Sequence, residues 1–270
     1  MSILQAFLLG ILQGVTEFFP ISSSGHLVLA ETLFGFVPAE LLAFNVTIHF
    51  ATLIAVVWYF KSDLISLVKG LFSRQKTSLQ LFLALIIATI PAVIAGVLYG
   101  EFFESIHNPQ TVAYLMLATG IYFLACEKIA PKIKHKLEYP SPVYSLIVGL
   151  SQVFAMLPGI SRSGTTLATS MLTGQNREVS AKFSFLIAIP AILGALVYTL
   201  LFKSEGFTAV PLASLTTGFL SALIAGYISI RFLMQLYKKH TLSAFAYYLL
   251  GLLHLFQLDQ FYLCGYLNLP

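Results

Sequence analysis

Charge is what this sequence is short of: Asp, Glu, Lys and Arg supply 10% of its 270 residues, against 58% hydrophobic residues and a mean hydropathy of +0.87. Soluble domains draw roughly a quarter of their residues from those four types. The composition therefore excludes a soluble globule and reads as an integral membrane protein. Cysteine is almost absent too. Cys126 and Cys264 sit in or near apolar stretches and form no framework, so they read as small core residues. The N-terminal apolar run has no basic segment ahead of it. It is expected to remain in the mature chain rather than to act as a secretory signal.

What is present is a series of long apolar runs. A hydrocarbon core of about 30 Å needs a helix of about 20 residues. Runs near that length are Phe44–Phe60, Leu79–Tyr99, Thr111–Ile129, Ala181–Phe202, Pro211–Phe232 and Ser243–Leu263, which predicts six crossings. If these alternate, thirteen of the fifteen basic residues fall on one side. They include Lys61, Lys69, Arg74 and Lys76 after the first run, Lys128, Lys132, Lys134 and Lys136 after the third, Arg177 and Lys182 before the fourth, and Arg231, Lys238 and Lys239 after the fifth. By the positive-inside rule that side is cytoplasmic. Glu40, Glu101, Glu104, Glu205 and Asp259 then face outward. This sorting accounts for the net charge of +4, and a nucleic-acid partner has no support. Lys61–Ser78 mixes cations with Leu64, Leu67, Val68, Leu71 and Phe72, the composition of an interfacial helix.

Two stretches without a crossing of their own repeat one another. Gly10–Gly25 aligns without a gap on Gly149–Gly164, matching both terminal glycines, Gln13 with Gln152, Ile21 with Ile160, and a closing S-x-S-G. The x is Ser23 in one copy and Arg162 in the other. Three crossings follow each copy, and an odd number per half predicts an inverted-topology repeat. We expect one membrane domain over 1–270, with repeats of about 1–130 and 140–270. Within it, residues 3–37 and 143–175 form two re-entrant helical hairpins. Irregular backbone at membrane depth is tolerated only inside protein or around a wet cavity, so polar hairpin tips imply a cavity.

The tips carry the chemistry. Gln13 and Glu17 share a helix face at i, i+4, and an ionisable group in an apolar helix is functional by default. Ser22, Ser161 and Ser163 have the character of helix caps. Two helix N-termini aimed at one cavity also make an anion site. Arg162, the one Arg of the embedded part, makes that anion a phosphate, because guanidinium binds phosphate oxygens in pairs. His26 follows Ser23 closely, and an imidazole beside a hydroxyl is a base-and-nucleophile arrangement. His49, with Asn45 one turn before it, divides evenly between lining the cavity and bonding within the bundle. The catalytic candidates are thus Glu17, Ser23, His26 and Arg162. The substrate-binding candidates are Gln13, Ser22, Ser24, Gly25, Gln152, Ser161, Ser163, Gly164 and Thr166.

Gln13-x-x-x-Glu17, Pro20-Ile21-Ser22-Ser23-Ser24-Gly25-His26 and Pro158-Gly159-Ile160-Ser161-Arg162-Ser163-Gly164-x-Thr166 resemble the two signature motifs of the undecaprenyl pyrophosphate phosphatases, the bacitracin-resistance family. The resemblance extends over essentially the whole chain. It implies hydrolysis of undecaprenyl pyrophosphate to undecaprenyl phosphate and orthophosphate, which recycles the lipid carrier of peptidoglycan synthesis in the bacterial cytoplasmic membrane. It further implies a divalent cation, Mg²⁺ or Ca²⁺, a site open to the outer face, and a homodimer. The family's pattern admits Glu or Gln at the first position of the acidic motif. This chain has Gln13, which leaves Glu17 to carry most of the metal role. Attack by Ser23 through a phospho-serine and direct attack by water both remain open. A polyprenyl-phosphate flippase or anion transporter would use the same inverted-repeat site, whereas a purely structural membrane protein leaves Glu17 and Arg162 unexplained.

Overall fold

The computed structural model describes residues 1–37, 41–106, 108–133, 140–203, 210–237 and 241–252. Among these residues all regular structure is helical. The helices are α1 (Ile3–Thr16), α2 (Ser23–Leu33), α3 (Leu42–Tyr59), α4 (Lys61–Phe72), α5 (Lys76–Ser105), α6 (Pro109–Ile129), α7 (Pro142–Phe154), α8 (Arg162–Leu172), α9 (Arg177–Phe202), α10 (Leu212–Leu236) and α11 (Ser243–Leu252). Their starts are chemically marked. Ser2, Asn108, Ser141 and Asn176 cap α1, α6, α7 and α9 by accepting a first-turn amide, and Pro109 and Pro142 occupy positions where a missing N–H costs nothing.

Five helices, α3, α5, α6, α9 and α10, are long and apolar enough to cross a membrane. They answer to the first five predicted runs. α5 is the most extended of them because its helical hydrogen bonding continues past the distorted Tyr99 (φ −128°, ψ 19°) as far as Ser105. Of the sixth run only 243–252 is described, and 253–263 lies outside the described residues, as do Cys264, Lys134, Lys136, Lys238, Lys239, Glu40, Glu205 and Asp259. The predicted interfacial segment begins as α4 but ends at Phe72, where Gln75 begins the turn into α5. Large apolar side chains such as Val97, Leu98, Ile224 and Ile228 stand exposed on the outer faces of α5 and α10. Such a band is stable only against lipid, and the chain is a multi-pass membrane protein.

The short helices are wedged between the long ones. α1 lies along α10 and α7 along α5, each at a glycine contact. A Cβ on Gly10 would stand 2.5 Å from the Gly218 carbonyl, and one on the aligned Gly149 would stand 2.6 Å from the Ala88 carbonyl. No side chain fits at either approach. α8 rests against α6, where the Cys126 thiol donates to the Ala168 carbonyl (3.3 Å), so Cys126 is the buried core residue expected of it. At one end of the molecule Lys182 of α9 pairs with Asp63 of α4 (2.5 Å), and Arg177 with Glu127 of α6 (2.8 Å). The basic start of α9, α4 and the end of α6 therefore share one side, as the charge sorting predicts.

Candidate functional site

Each hairpin breaks just before its second helix, and the two breaks touch. Ser163 donates to the Phe19 carbonyl (3.4 Å), and Pro20 packs where a Cβ on Gly164 would be. The local framework is the same in both. Ser22 caps α2 by accepting from the Gly25 amide, Ser161 caps α8 by accepting from the Gly164 amide, and both distances are 3.2 Å. Ser22 and Ser24 lie 3.3 Å apart at their hydroxyls, and so do Ser161 and Ser163. The caps leave the amides of Ser23 and Ser24, and of Arg162 and Ser163, without an intrahelical acceptor at the positive ends of two helices.

Between these ends lies a cavity of about 520 Å³. Its polar part is formed by Glu17, Ser22, Ser23, Ser24, Asn45, His49, Gln152, Ser161, Arg162 and Ser163. Glu17 is the hub. Its Oε1 accepts from Arg162 Nη2 at 2.5 Å. Its Oε2 accepts from Ser23 Oγ at 2.6 Å and from Gln13 Nε2 at 3.1 Å, and His49 Nε2 stands 3.9 Å from the same oxygen. His49 Nδ1 is directed at the Asn45 carbonyl (2.8 Å), which makes Nδ1 a donor and holds the ring with Nε2 toward Glu17. The other guanidinium nitrogen of Arg162, Nη1, is buried with no partner among the described residues. A desolvated donor in a cavity wall costs free energy until it meets an acceptor.

The remaining expected residues fall into place around this hub. His26 turns elsewhere: Nδ1 meets the Ser22 carbonyl and Nε2 the Tyr248 hydroxyl of α11, both at 2.8 Å, with the two rings stacked. It does not line the cavity. Gln152 lines the wall but spends its amide on the Ala88 carbonyl (2.7 Å). Thr166 is wholly buried and joins α8 to α9 through Ser184 (2.6 Å), and Gly25 gives close passage to Met116. Sequence reasoning missed Tyr248 as the partner of His26 and left His49 undecided. Periodicity marked His49 only as polar in an apolar helix.

These features define a class: a helical membrane protein whose polar cavity is assembled at two helix breaks, with a carboxylate from one and a guanidinium from the other. Residues 6–253 match the family described as Bacitracin resistance protein BacA, and the chain belongs to that family. It is 39% identical over 263 residues to undecaprenyl-diphosphatase 3 of Bacillus cereus, covering 97% of this chain and 98% of the relative. Its identity to undecaprenyl-diphosphatase of Christiangramia forsetii is 38%, and to that of Methanobrevibacter smithii 39%, in each case with 92% of this chain and 94% of the relative covered.

Proposed function

We infer that the chain hydrolyses undecaprenyl diphosphate to undecaprenyl phosphate and orthophosphate, the activity its relatives are named for. The observation that carries the reading is Arg162, a guanidinium in the wall of a cavity that also takes in the first residues of two helices, with its Nη1 buried and unpartnered among the described residues. A diphosphate head supplies acceptors for all three. The two hairpins are re-entrant, and the halves of about 1–130 and 140–270 form one domain with inverted topology. Support comes from the reciprocal packing of α1 on α10 and α7 on α5. The protein then resides in the bacterial cytoplasmic membrane with its cavity opening outward, a reading supported by the basic residues around α4 and the start of α9.

The chemistry follows from the hydrogen bonds. Ser23 Oγ–H already points at Glu17 Oε2 (2.6 Å), which makes Glu17 the base. As Ser23 attacks the terminal phosphorus, its proton passes to Glu17 and the P–O bond to the lipid phosphate breaks. Arg162 and the amides of Ser23 and Arg162 oppose the charge that builds on the phosphoryl oxygens. The departing lipid phosphate takes that proton from Glu17; water then attacks the phospho-serine and gives a proton to Glu17, which passes it to Ser23 Oγ as the O–P bond breaks and orthophosphate is released. His26 holds the cap in place through Ser22 and Tyr248 rather than activating Ser23.

The donor set also fits a hard divalent cation shared with the substrate. Gln13 Oε1 and Asn45 Oδ1 are buried oxygens without partners, on residues next to Glu17 and His49 in the network. Glu17 would hold Mg²⁺ or Ca²⁺ with these oxygens and the phosphate, and the bound ion would neutralise charge on the diphosphate. Release of orthophosphate by purified protein supplied with undecaprenyl diphosphate, lost on chelation and restored by Mg²⁺, is the expected result. Substrate binding and movement across vesicles without any phosphate release would instead assign the site to a flippase.

A further inference from the structure

The cavity has a second half that phosphate chemistry does not use. From Arg162 it continues between α5 and α9, walled by Ala92, Gly96 and Gly100 on one side and Ala191, Gly194 and Ala195 on the other. Residues 92, 96 and 100 recur at i, i+4, i+8 and therefore form one stripe along α5. Both helices carry an internal proline at the start of the gap, Pro91 in α5 and Pro190 in α9. Before the prolines the helices pack, with Ala84 and Ala88 against Phe183 and Ile187 in one buried cluster. Proline lacks the amide for its own turn and crowds the carbonyl four residues back, which loosens a helix at that point. After the prolines both helices line the cavity.

The far end is closed again. A Cβ on Gly100 would lie 2.9 Å from the Tyr198 hydroxyl, so Tyr198 reaches across the gap from α9. What remains is a window in the side of the molecule. Val93 and Val97 line the cavity and are nevertheless 49% and 65% exposed, which puts the rim of the window on the lipid-facing surface. Around Gly194 there is open space, with nothing within 4 Å of a Cβ placed on it.

Resting on the hydrolase reading, we propose that this window is the passage for the substrate's polyprenyl tail: the diphosphate sits at Arg162 and the first isoprene units leave between α5 and α9 into the bilayer. The occupant is an amphiphile because one cavity joins a polar end and an apolar end. A cavity of about 520 Å³ lies within the range of drug-sized ligand sites, far below what an undecaprenyl chain occupies. Most of the tail must therefore lie outside, and the rim at Val93 and Val97 is where it exits. Small residues on both walls keep the passage as wide as a branched, unsaturated chain requires.

Two measurements test this. Wild-type protein in vesicles is photolabelled with a polyprenyl diphosphate bearing a diazirine on its first isoprene unit, and the adducts are mapped by mass spectrometry. Adducts within 92–100 and 191–199 are expected, and adducts confined to other helices overturn the proposal whether or not the protein hydrolyses the lipid. Labelling of the same residues by a diazirine phospholipid that undecaprenyl diphosphate fails to displace also overturns it, because a bilayer lipid is then the occupant. Second, Gly194→Leu fills open space. It should raise KM for undecaprenyl diphosphate by about tenfold or more, the loss of roughly one buried branched group. Hydrolysis of dimethylallyl diphosphate, whose single isoprene unit stops short of the window, should stay within about twofold on the same scale. Equal effects on both substrates, or on neither, overturn the assignment. A wild-type protein that releases phosphate from neither substrate yet labels at the window would fail the hydrolase reading and leave the passage standing.

Discussion

The two hairpin breaks are the same structure used for opposite purposes. Ser22 and Ser161 make one cap at one distance, and Ser24 and Ser163 repeat one hydroxyl contact. Among the positions that differ, two set the charge of the cavity. Glu17 aligns with Met156 and Ser23 with Arg162. Glu17 and Arg162 meet across the cavity as an ion pair, while the residues aligned with them, Met156 and Ser23, are a neutral pair in its wall. On the proposed mechanism, the differences at these two positions supply the base, the nucleophile and the charged clamp. The backbones differ as well: the first break turns at Ser22 (φ 71°), the second at Gly159 (φ 100°). The left-handed region costs a Ser roughly 1–2 kcal/mol and a Gly almost nothing.

The comparison breaks most completely at Ser23. Ser23→Ala leaves the first break with a cap and no nucleophile, and phosphate release should fall by about a thousandfold or more. Acid quench of wild-type protein with labelled substrate should trap phosphate on Ser23, and substantial activity in Ser23→Ala would instead assign the attack to water. Next is Arg162→Lys, which keeps the charge but forfeits the second guanidinium nitrogen. Losing a bidentate contact in a desolvated site should slow turnover by about a hundredfold or more. The measurement is phosphate release by protein whose melting in detergent is unchanged, and wild-type turnover would remove Arg162 from the site.

Glu17→Gln removes the carboxylate that the second half lacks. Turnover should drop by about a hundredfold, as for loss of a general base, and its dependence on added Mg²⁺ should flatten, whereas Gln13→Glu should be tolerated. Titration of metal against rate compares the three proteins, and an unchanged curve in Glu17→Gln would place the cation elsewhere. The paired glutamines sharpen the contrast further. Gln152 bonds the Ala88 carbonyl and Gln13 bonds Glu17. Gln152→Ala should therefore cost about 1 kcal/mol of stability with turnover nearly intact, and Gln13→Ala should do the reverse. The smallest effects belong to the caps. Alanine at Ser22 or Ser161 should cost about 1 kcal/mol alike. Glycine should distinguish them, being neutral or stabilising at Ser22, where it relieves the positive φ, and mildly destabilising at Ser161.

Much of this was legible in the sequence because it is local. A cap serine, an i, i+4 pair and a proline break announce themselves within a few residues, so the hairpins, the repeat and five long apolar helices could be read directly. The cation sorting was legible for the same reason, and the Lys182–Asp63 pair agrees with it. Long-range partners were not. His26 lies 222 residues from Tyr248 along the chain, and nothing in either neighbourhood marks the hydrogen bond. A carbonyl such as that of Ala88 carries no side-chain signal, which is why Gln152 was ambiguous. The window between α5 and α9 was hidden for another reason: alanine and glycine look like ordinary membrane-helix residues until the cavity is seen to run between them.

The bond between Glu17 and Arg162 makes substrate capture an exchange. The Nη2 side of the guanidinium already faces a carboxylate at 2.5 Å, so on the proposed mechanism an arriving phosphate shares a cation whose charge is partly offset. Capture is weakened accordingly, but departure is helped by the same amount. Orthophosphate, the product with the most charge per atom, can then leave a cationic pocket because Glu17 keeps Arg162 paired. Turnover in such a site is governed by how evenly two anions compete for one cation.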